Sequence, residues 1–336
     1  MKDGVFIFDN VIHALSFHPK NLKTPHGQQA QDWVYRHLAA GLLPPGQRER
    51  FTRDQFARDW SVEEIGRLVL EKSDTDMGMA QTISFHDYFQ DGLAPVEKQY
   101  ELSQKFPGRI LFCGGVDPVY LGIENALREM ERQVKEWGAC SFKFYNAHRD
   151  GRSWRADSRT FAYPLYEKAL QLGVDVIQFH KGLPIGVEPL EDTRPVDLER
   201  PAADFPELKF LIHHITGPYV GEMISMASRF ENVYLVDSVL FAMVLVQPRR
   251  VLQTIGEVLL QCGPDKLIRG SDSPVWPDPQ AMIDVFWNME MPEDLQEGYG
   301  YPPLSREVKA KILGENFARL MKIDIAQKKR DLGLAA

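Results

Sequence analysis

Eight short apolar runs, most of them separated by helix-forming stretches, constrain this chain more than any other feature. They cover 5–12, 77–84, 109–116, 140–145, 174–179, 209–214, 233–236 and 266–270. Between them lie helical patterns such as IENALREMERQVKEWG, FAYPLYEKALQLG and RRVLQTIGEVLLQCG. A helix between two strands returns the chain to the same edge, so the strands pair in parallel. Eight such units, with no glycine-rich dinucleotide fingerprint after the first, favour a closed barrel over an open doubly wound sheet. The expected fold class is α/β, a distorted (β/α)8 TIM barrel.

Two stretches are too long for plain connections. Residues 21–76 are polar and helix-forming, with QQAQDWVYRHLAAGLLP and SVEEIGRLVLEKSD inside them, and read as a helical insertion that caps the barrel mouth. Residues 277–301 are aromatic-rich around DVFWNMEMP. Apolar surface around Phe286, Trp287 and Tyr299, together with the insertion, predicts contact with a neighbouring subunit. The amphipathic stretch SREVKAKILGENFARLMKI predicts a helix that closes the barrel. Nothing repeats, so 1–336 reads as a single domain.

The 336 residues exceed the ~250 of a plain barrel and leave room for insertions. A hydrophobic content of 44% supports a large core and argues against disorder. The net charge of -8 argues against nucleic acid, whose phosphates need a basic face. No apolar run approaches the ~20 residues of a membrane span, and the start lacks a signal-like pattern. Cys113, Cys140 and Cys262 form no CxxC pair and read as reduced thiols, so the expected compartment is the cytoplasm.

Polar residues at the ends of the runs carry the chemistry. His13, His180, His214 and Asp272 close four different runs. Three imidazoles and a carboxylate suit a borderline divalent cation, zinc first, with iron or manganese as alternatives. The carboxyl ends of barrel strands are where catalytic groups collect. Singly, each has a plainer reading: a hydrogen-bonded strand-end histidine, a loop histidine, or, for Asp272, an Asx-turn before Pro274. Asp272 is also the candidate proton carrier, with His214 beside it. His213 neighbours His214, so in a regular strand only one of them points at the site, and His213 then faces the helices or supports a ligand from behind. Lys143 lies inside an apolar run, where its charge is costly. It is either paired, or snorkelled, or carboxylated as a bridge between two metals. His86, His148, Arg149 and Lys181 follow other runs and are candidates to hold a substrate carboxylate.

With these residues laid out, the chain resembles the amidohydrolase superfamily. It is most similar to the branch of aminocarboxymuconate-semialdehyde, resorcylate and carboxyvanillate decarboxylases. Asp9 and His13 match the aspartate and second histidine of that branch's Asp-x-His-x-His pattern. FHKG carries the histidine after the fifth strand, and HITGP resembles the His-x-Gly-Gly pattern, which selects His214 over His213. GSDSPVWPD and GENFARLMKI match the closing motifs. Val11 departs from the pattern, standing where the first histidine belongs. The resemblance implies a metal-dependent enzyme that hydrolyses or non-oxidatively decarboxylates a small carboxylic acid. FKFYNAHRDG and FWNMEMPEDLQEGYGYPPL are more similar to a subgroup of non-haem iron or manganese oxygenases, including the one that hydroxylates 2-aminoisobutyrate. That likeness implies a subunit of such an oxygenase, in a homo-oligomer or paired with a related barrel. The loss at Val11 also fits a third reading, a degenerate subunit supporting an active partner.

Overall fold

The computed structural model describes residues 1–215 and 217–334. Thr216, inside the HITGP stretch, lies outside the described residues. Eight strands pair in sequence order, each parallel to the next. They are β1 (Phe8–Ile12), β2 (Met77–Gln81), β3 (Ile110–Gly114), β4 (Ser141–Phe144), β5 (Val176–His180), β6 (Lys209–His213), β7 (Val233–Val236) and β8 (Leu267–Ile268). The last run contracts to two residues because Arg269 to Asp272 turn out of the ladder. The Asn10 amide donates to the Arg269 carbonyl at 3.1 Å and the His13 amide to the Ser273 carbonyl at 2.8 Å. These bonds join β1 to the segment after β8 and close the barrel.

Side chains alternate across each strand, and the two faces do different work. Phe142, Phe144, Ile177, Phe179, Phe210 and Ile212 face outward into the main core beneath the helices. Met79, Val176, Leu211, Val236 and Ile268 face inward and form a separate cluster. Phe317 and Leu320 of the closing helix plug it from below, the Phe317 ring lying 4.6 Å from Phe8. That helix runs as Arg306–Ala310, a wider π turn Lys311–Glu315, and Asn316–Leu320. Gly314 lets it approach β1. A β-carbon there would sit 2.2 Å from the Phe6 carbonyl oxygen.

Two parts of the long first connection have different neighbours. Helix Pro25–Val34 and its extension Tyr35–Ala39 bring Val34 and Leu38 to the mouth cavity. Helix Val62–Gly66, extended by Arg67–Glu71, packs beside Val96–Lys105. After β8, residues 277–301 fold into helices Pro279–Asn288 and Glu293–Tyr299. Phe286 is fully buried and packs on Phe241 at 5.3 Å, so it is core rather than surface. The Trp287 ring N–H donates to Asp3, and only Tyr299 of the three aromatics is well exposed.

Candidate metal centre

One more step up each inward face takes the barrel from apolar to polar. In β5 the inward residues are Val176, Gln178 and His180 in rising order. In β6 they are Leu211 and His213, in β2 Met79 and Gln81, and in β4 Ser141 and Lys143. Gln178 is the hub of the middle layer. Its side-chain oxygen accepts from Asn10 (3.0 Å), Gln81 (3.1 Å) and His213 (2.7 Å). Its nitrogen donates to Ser141 at 3.1 Å. These bonds cross the barrel from β1 and β2 to β5 and β6, which only interior side chains can do.

Above this layer the structure brings His13, His180, His214 and Asp272 together. His13 Nε2 lies 3.1 Å from Asp272 Oδ1, Asp272 Oδ2 3.8 Å from His214 Nδ1, and His214 Nε2 2.9 Å from His180 Nδ1. The outer nitrogens are tied down. His13 Nδ1 meets the Gln81 carbonyl at 2.8 Å, and His180 Nε2 meets the Leu183 carbonyl at 2.6 Å. His214 Nδ1 lies 3.0 Å from Ser238 Oγ. A carbonyl only accepts, so the outer nitrogens of His13 and His180 carry the protons. In their neutral forms the inner nitrogens are then lone pairs.

Burial keeps two of the site imidazoles neutral. It lowers the pKa of His180 to about 3, helped by the neighbouring charge of Lys143, and holds His214 well below the usual histidine range. His13 Nε2 faces the Asp272 carboxylate, a contact that a shared proton or a cation makes favourable. Among the described residues no three His, Cys, Asp or Glu side chains are already spread around a cation-sized gap. The inner donors touch one another instead. The donor chemistry nevertheless fits a cation. Metal-bound histidines characteristically give their outer N–H to a carbonyl or similar acceptor, as His13 and His180 do.

Backbone strain gathers at the same place. Phe85, His214, Val239 and Asp272 all line the cavity, and all four have φ between 35° and 70°. They are four of the six non-glycine residues with positive φ among those described. Val239 is β-branched and the most strained by type. The left-handed turn at His214 also corrects the alternation argument. It ends β6 at His213 and lets both imidazoles face inward, their rings 5.7 Å apart. His213 thus joins the Gln178 layer directly beneath the site instead of facing the helices.

Lys143 is 2% exposed, and its ammonium nitrogen has no hydrogen-bond partner. Burial pushes its pKa down to about 7, against the opposing pull of Asp272. The structure thus contains no buried ion pair for it. The other candidates do not reach the cavity. His148 is fully buried between carboxylates, 3.0 Å from Asp117 and 3.7 Å from Asp87. Arg149 donates to the Asp87 carbonyl at 3.0 Å, and Lys181 pairs with Asp197 at 2.9 Å. His86 sits against Tyr120 and lines a separate groove beside helix Ile123–Lys135.

Several participants escape a search for strand-end residues. Tyr145 stacks on His180 with ring centres 4.8 Å apart. Gln81 and Gln178 are polar residues inside apolar runs, the signal that singled out Lys143, and could have been found the same way. Ser238 carries no sequence signal.

A family model described as amidohydrolase matches residues 75–323. No curated protein sequence matches the chain. Among solved structures, an uncharacterized TIM-barrel protein from Bordetella bronchiseptica is 18% identical with a TM-score of 0.64, covering 97% of this chain and 100% of its own. A dihydroxybenzoic acid decarboxylase from Polaromonas sp. JS666, solved with manganese and 2-nitroresorcinol, is 18% identical with a TM-score of 0.58, covering 97% and 98%. A 5-carboxyvanillate decarboxylase from Novosphingobium aromaticivorans, also with manganese, is 16% identical with a TM-score of 0.59, covering 96% and 97%. At such identities the structural likeness establishes the barrel fold, and the family match spans about three quarters of the sequence. The chain belongs to the amidohydrolase family.

Proposed function

We propose that the protein is a divalent-metal-dependent carboxy-lyase acting on a small carboxylic acid. The observation that carries this is the pair His13–Asp272, an imidazole nitrogen and a carboxylate held 3.1 Å apart at the head of a polar shaft. His13, His180, His214 and Asp272 would hold the cation, with Lys143 beneath them as a further candidate ligand. A bound cation would polarise the substrate carboxylate and stabilise charge that develops on it. Asp272 and His214 are the groups placed to carry the proton that replaces carbon dioxide on the substrate carbon. Ser238, 3.0 Å from His214 Nδ1, orients that ring. The apolar walls exclude water, which strengthens each of these interactions. Zinc suits the donor set, and the manganese of two similar structures makes that ion the first alternative.

The test is elemental analysis of protein purified without added metal, followed by anaerobic assay of carbon dioxide release from a panel of small acids. The expected result is about one divalent ion per chain and carbon dioxide without oxygen uptake. A metal-free protein that binds no added Mn2+ or Zn2+ would overturn the proposal and leave the supporting-subunit reading. Val11 favours a second reading. It is fully packed in the lower cluster, with its side chain against Gly270, and donates nothing to the site. A site short of one histidine keeps open positions, as oxygen activation on iron or manganese requires. Substrate-dependent oxygen consumption, rising when a related subunit is added, is the outcome that would select it.

A further inference from the structure

Apart from the three histidines, Asp272 and Tyr145, every described residue lining the cavity is aliphatic or a phenylalanine. The cavity measures ≈ 50 Å³. That is room for about four water-sized groups, at ~10–15 Å³ each. Among the described lining residues there is no lysine, arginine, serine, threonine, asparagine or glutamine. Lys143 lies under the pull of Asp272 at the His–Asp end, and the other cations near in sequence are committed elsewhere, Lys181 to Asp197 and Arg149 to the Asp87 backbone. A second charge on the substrate, away from the His–Asp end, would lose its water and find no charged partner, with the Tyr145 hydroxyl the one polar group outside that end among the described lining residues.

Leu15, Phe17, Val34 and Leu38 come to the lining from the first connection, not from the barrel strands. Val34 and Leu38 are one helical turn apart and so share a face. The Trp276 ring N–H donates to the Leu38 carbonyl at 3.1 Å, which pins that turn to the segment after β8. Leu183, whose carbonyl holds His180, lies on the cavity wall as well.

We propose that the site takes a short monocarboxylic acid whose carboxylate meets the His–Asp end and whose wholly apolar remainder, up to about four carbons, fills the cavity, and that Val34 and Leu38 set its length limit. The proposal rests on the functional reading above for where the carboxylate sits. It assigns chemistry to the barrel and size selection to residues 34 and 38. It also separates this site from those of the similar structures, which take hydroxylated aromatic acids.

The experiment is isothermal titration of the full chain with butyrate, succinate, benzoate and hexanoate, with and without Mn2+. Butyrate is expected to bind about 100-fold tighter than succinate, whose second carboxylate has no partner, and tighter than benzoate. Val34→Ala and Leu38→Ala should each improve hexanoate by about tenfold relative to butyrate, the usual worth of a methylene-sized space. Val34→Phe should weaken butyrate. Two independent positions protect the test against one variant that fails to fold. Succinate or benzoate binding as tightly as butyrate, or an unchanged hexanoate-to-butyrate affinity ratio in both alanine variants, overturns the proposal. If no metal binds but the rank order holds, the metal-dependent reaction alone fails. If metal binds but the rank order is reversed, the size limit alone fails.

Discussion

The lower and upper halves of the barrel interior are built from the same eight strands and obey opposite rules. Below, Met79, Val176, Leu211, Val236 and Ile268 leave nothing to hydrogen-bond, and Phe317 seals the end. Above, Gln81, Gln178, His213 and Lys143 occupy the equivalent inward positions, and among the described residues Lys143 Nζ, His213 Nδ1 and Gln81 Oε1 find no hydrogen-bond partner. The strained residues Phe85, His214, Val239 and Asp272 sit only at the upper end. Side-chain periodicity treats the two halves alike, so the difference is chemical. The lower half contributes stability through burial. The upper half spends stability on holding polar groups at fixed positions, which is what a reaction site requires.

Breaking the upper half at its head should have the largest effect. His180→Ala removes an inner nitrogen while leaving the core intact. Metal content should fall at least about 100-fold in affinity, and activity should drop about 1,000-fold or more, with little change in Tm. Metal titration and assay on the same preparation check it. If His180→Ala binds metal normally, the two halves differ in polarity but not in purpose. Leu211→Ala is the matched substitution below. It should cost about 2–5 kcal/mol of unfolding free energy, measured in urea, while the surviving folded fraction keeps its full metal content. Gln178→Leu sits between the two. It leaves the Asn10, Gln81 and His213 donors without their shared acceptor, for about 2–4 kcal/mol, and should also weaken metal binding, because Gln81 positions His13. Gln178→Glu keeps an acceptor, so it should recover much of the stability. A Gln178→Leu chain that loses stability but binds metal unchanged would confine the middle layer to a packing role.

The same division explains how much was legible in the sequence. The barrel was readable because eight apolar runs and their helices leave few ways to bury so much surface. His13, His180, His214 and Asp272 were readable as a group because each ends a run, and strand ends converge at a barrel mouth. Two things were not. The left-handed turn at His214 breaks the alternation that assigned His213 to the other face, and no local sequence rule places positive φ on a histidine. The positions of His148, Arg149 and Lys181 depend on carboxylates far away in sequence. Asp87, Asp117 and Asp197 hold these groups away from the cavity. A strand-end cation says only that a charge is near the mouth, not which carboxylate it faces.

His148 gives the last and smallest prediction, and it concerns how the upper loops are tied rather than the site itself. Asp87 follows β2, Asp117 follows β3 and His148 follows β4, so one buried imidazole joins three loops. Burial alone would lower its pKa, but the carboxylates of Asp117 and Asp87 on either side outweigh that and raise it to about 10. In the unfolded chain the ring releases its proton near ~6.5. Between those values the folded state holds the extra proton, so stability falls as pH rises. The contribution is complete below pH ~6.5 and gone above pH ~10, and amounts to roughly 1–3 kcal/mol. Lys143 and Asp237 also change protonation in this window, so the contribution of His148 is read as the difference between the parent and a variant. In urea unfolding between pH 6 and 10, His148→Asn should be less stable than the parent at pH 6 and converge with it towards pH 10. Parallel curves for the two proteins would mean that His148 is uncharged in the fold, and that the loops are held by packing as the lower half is.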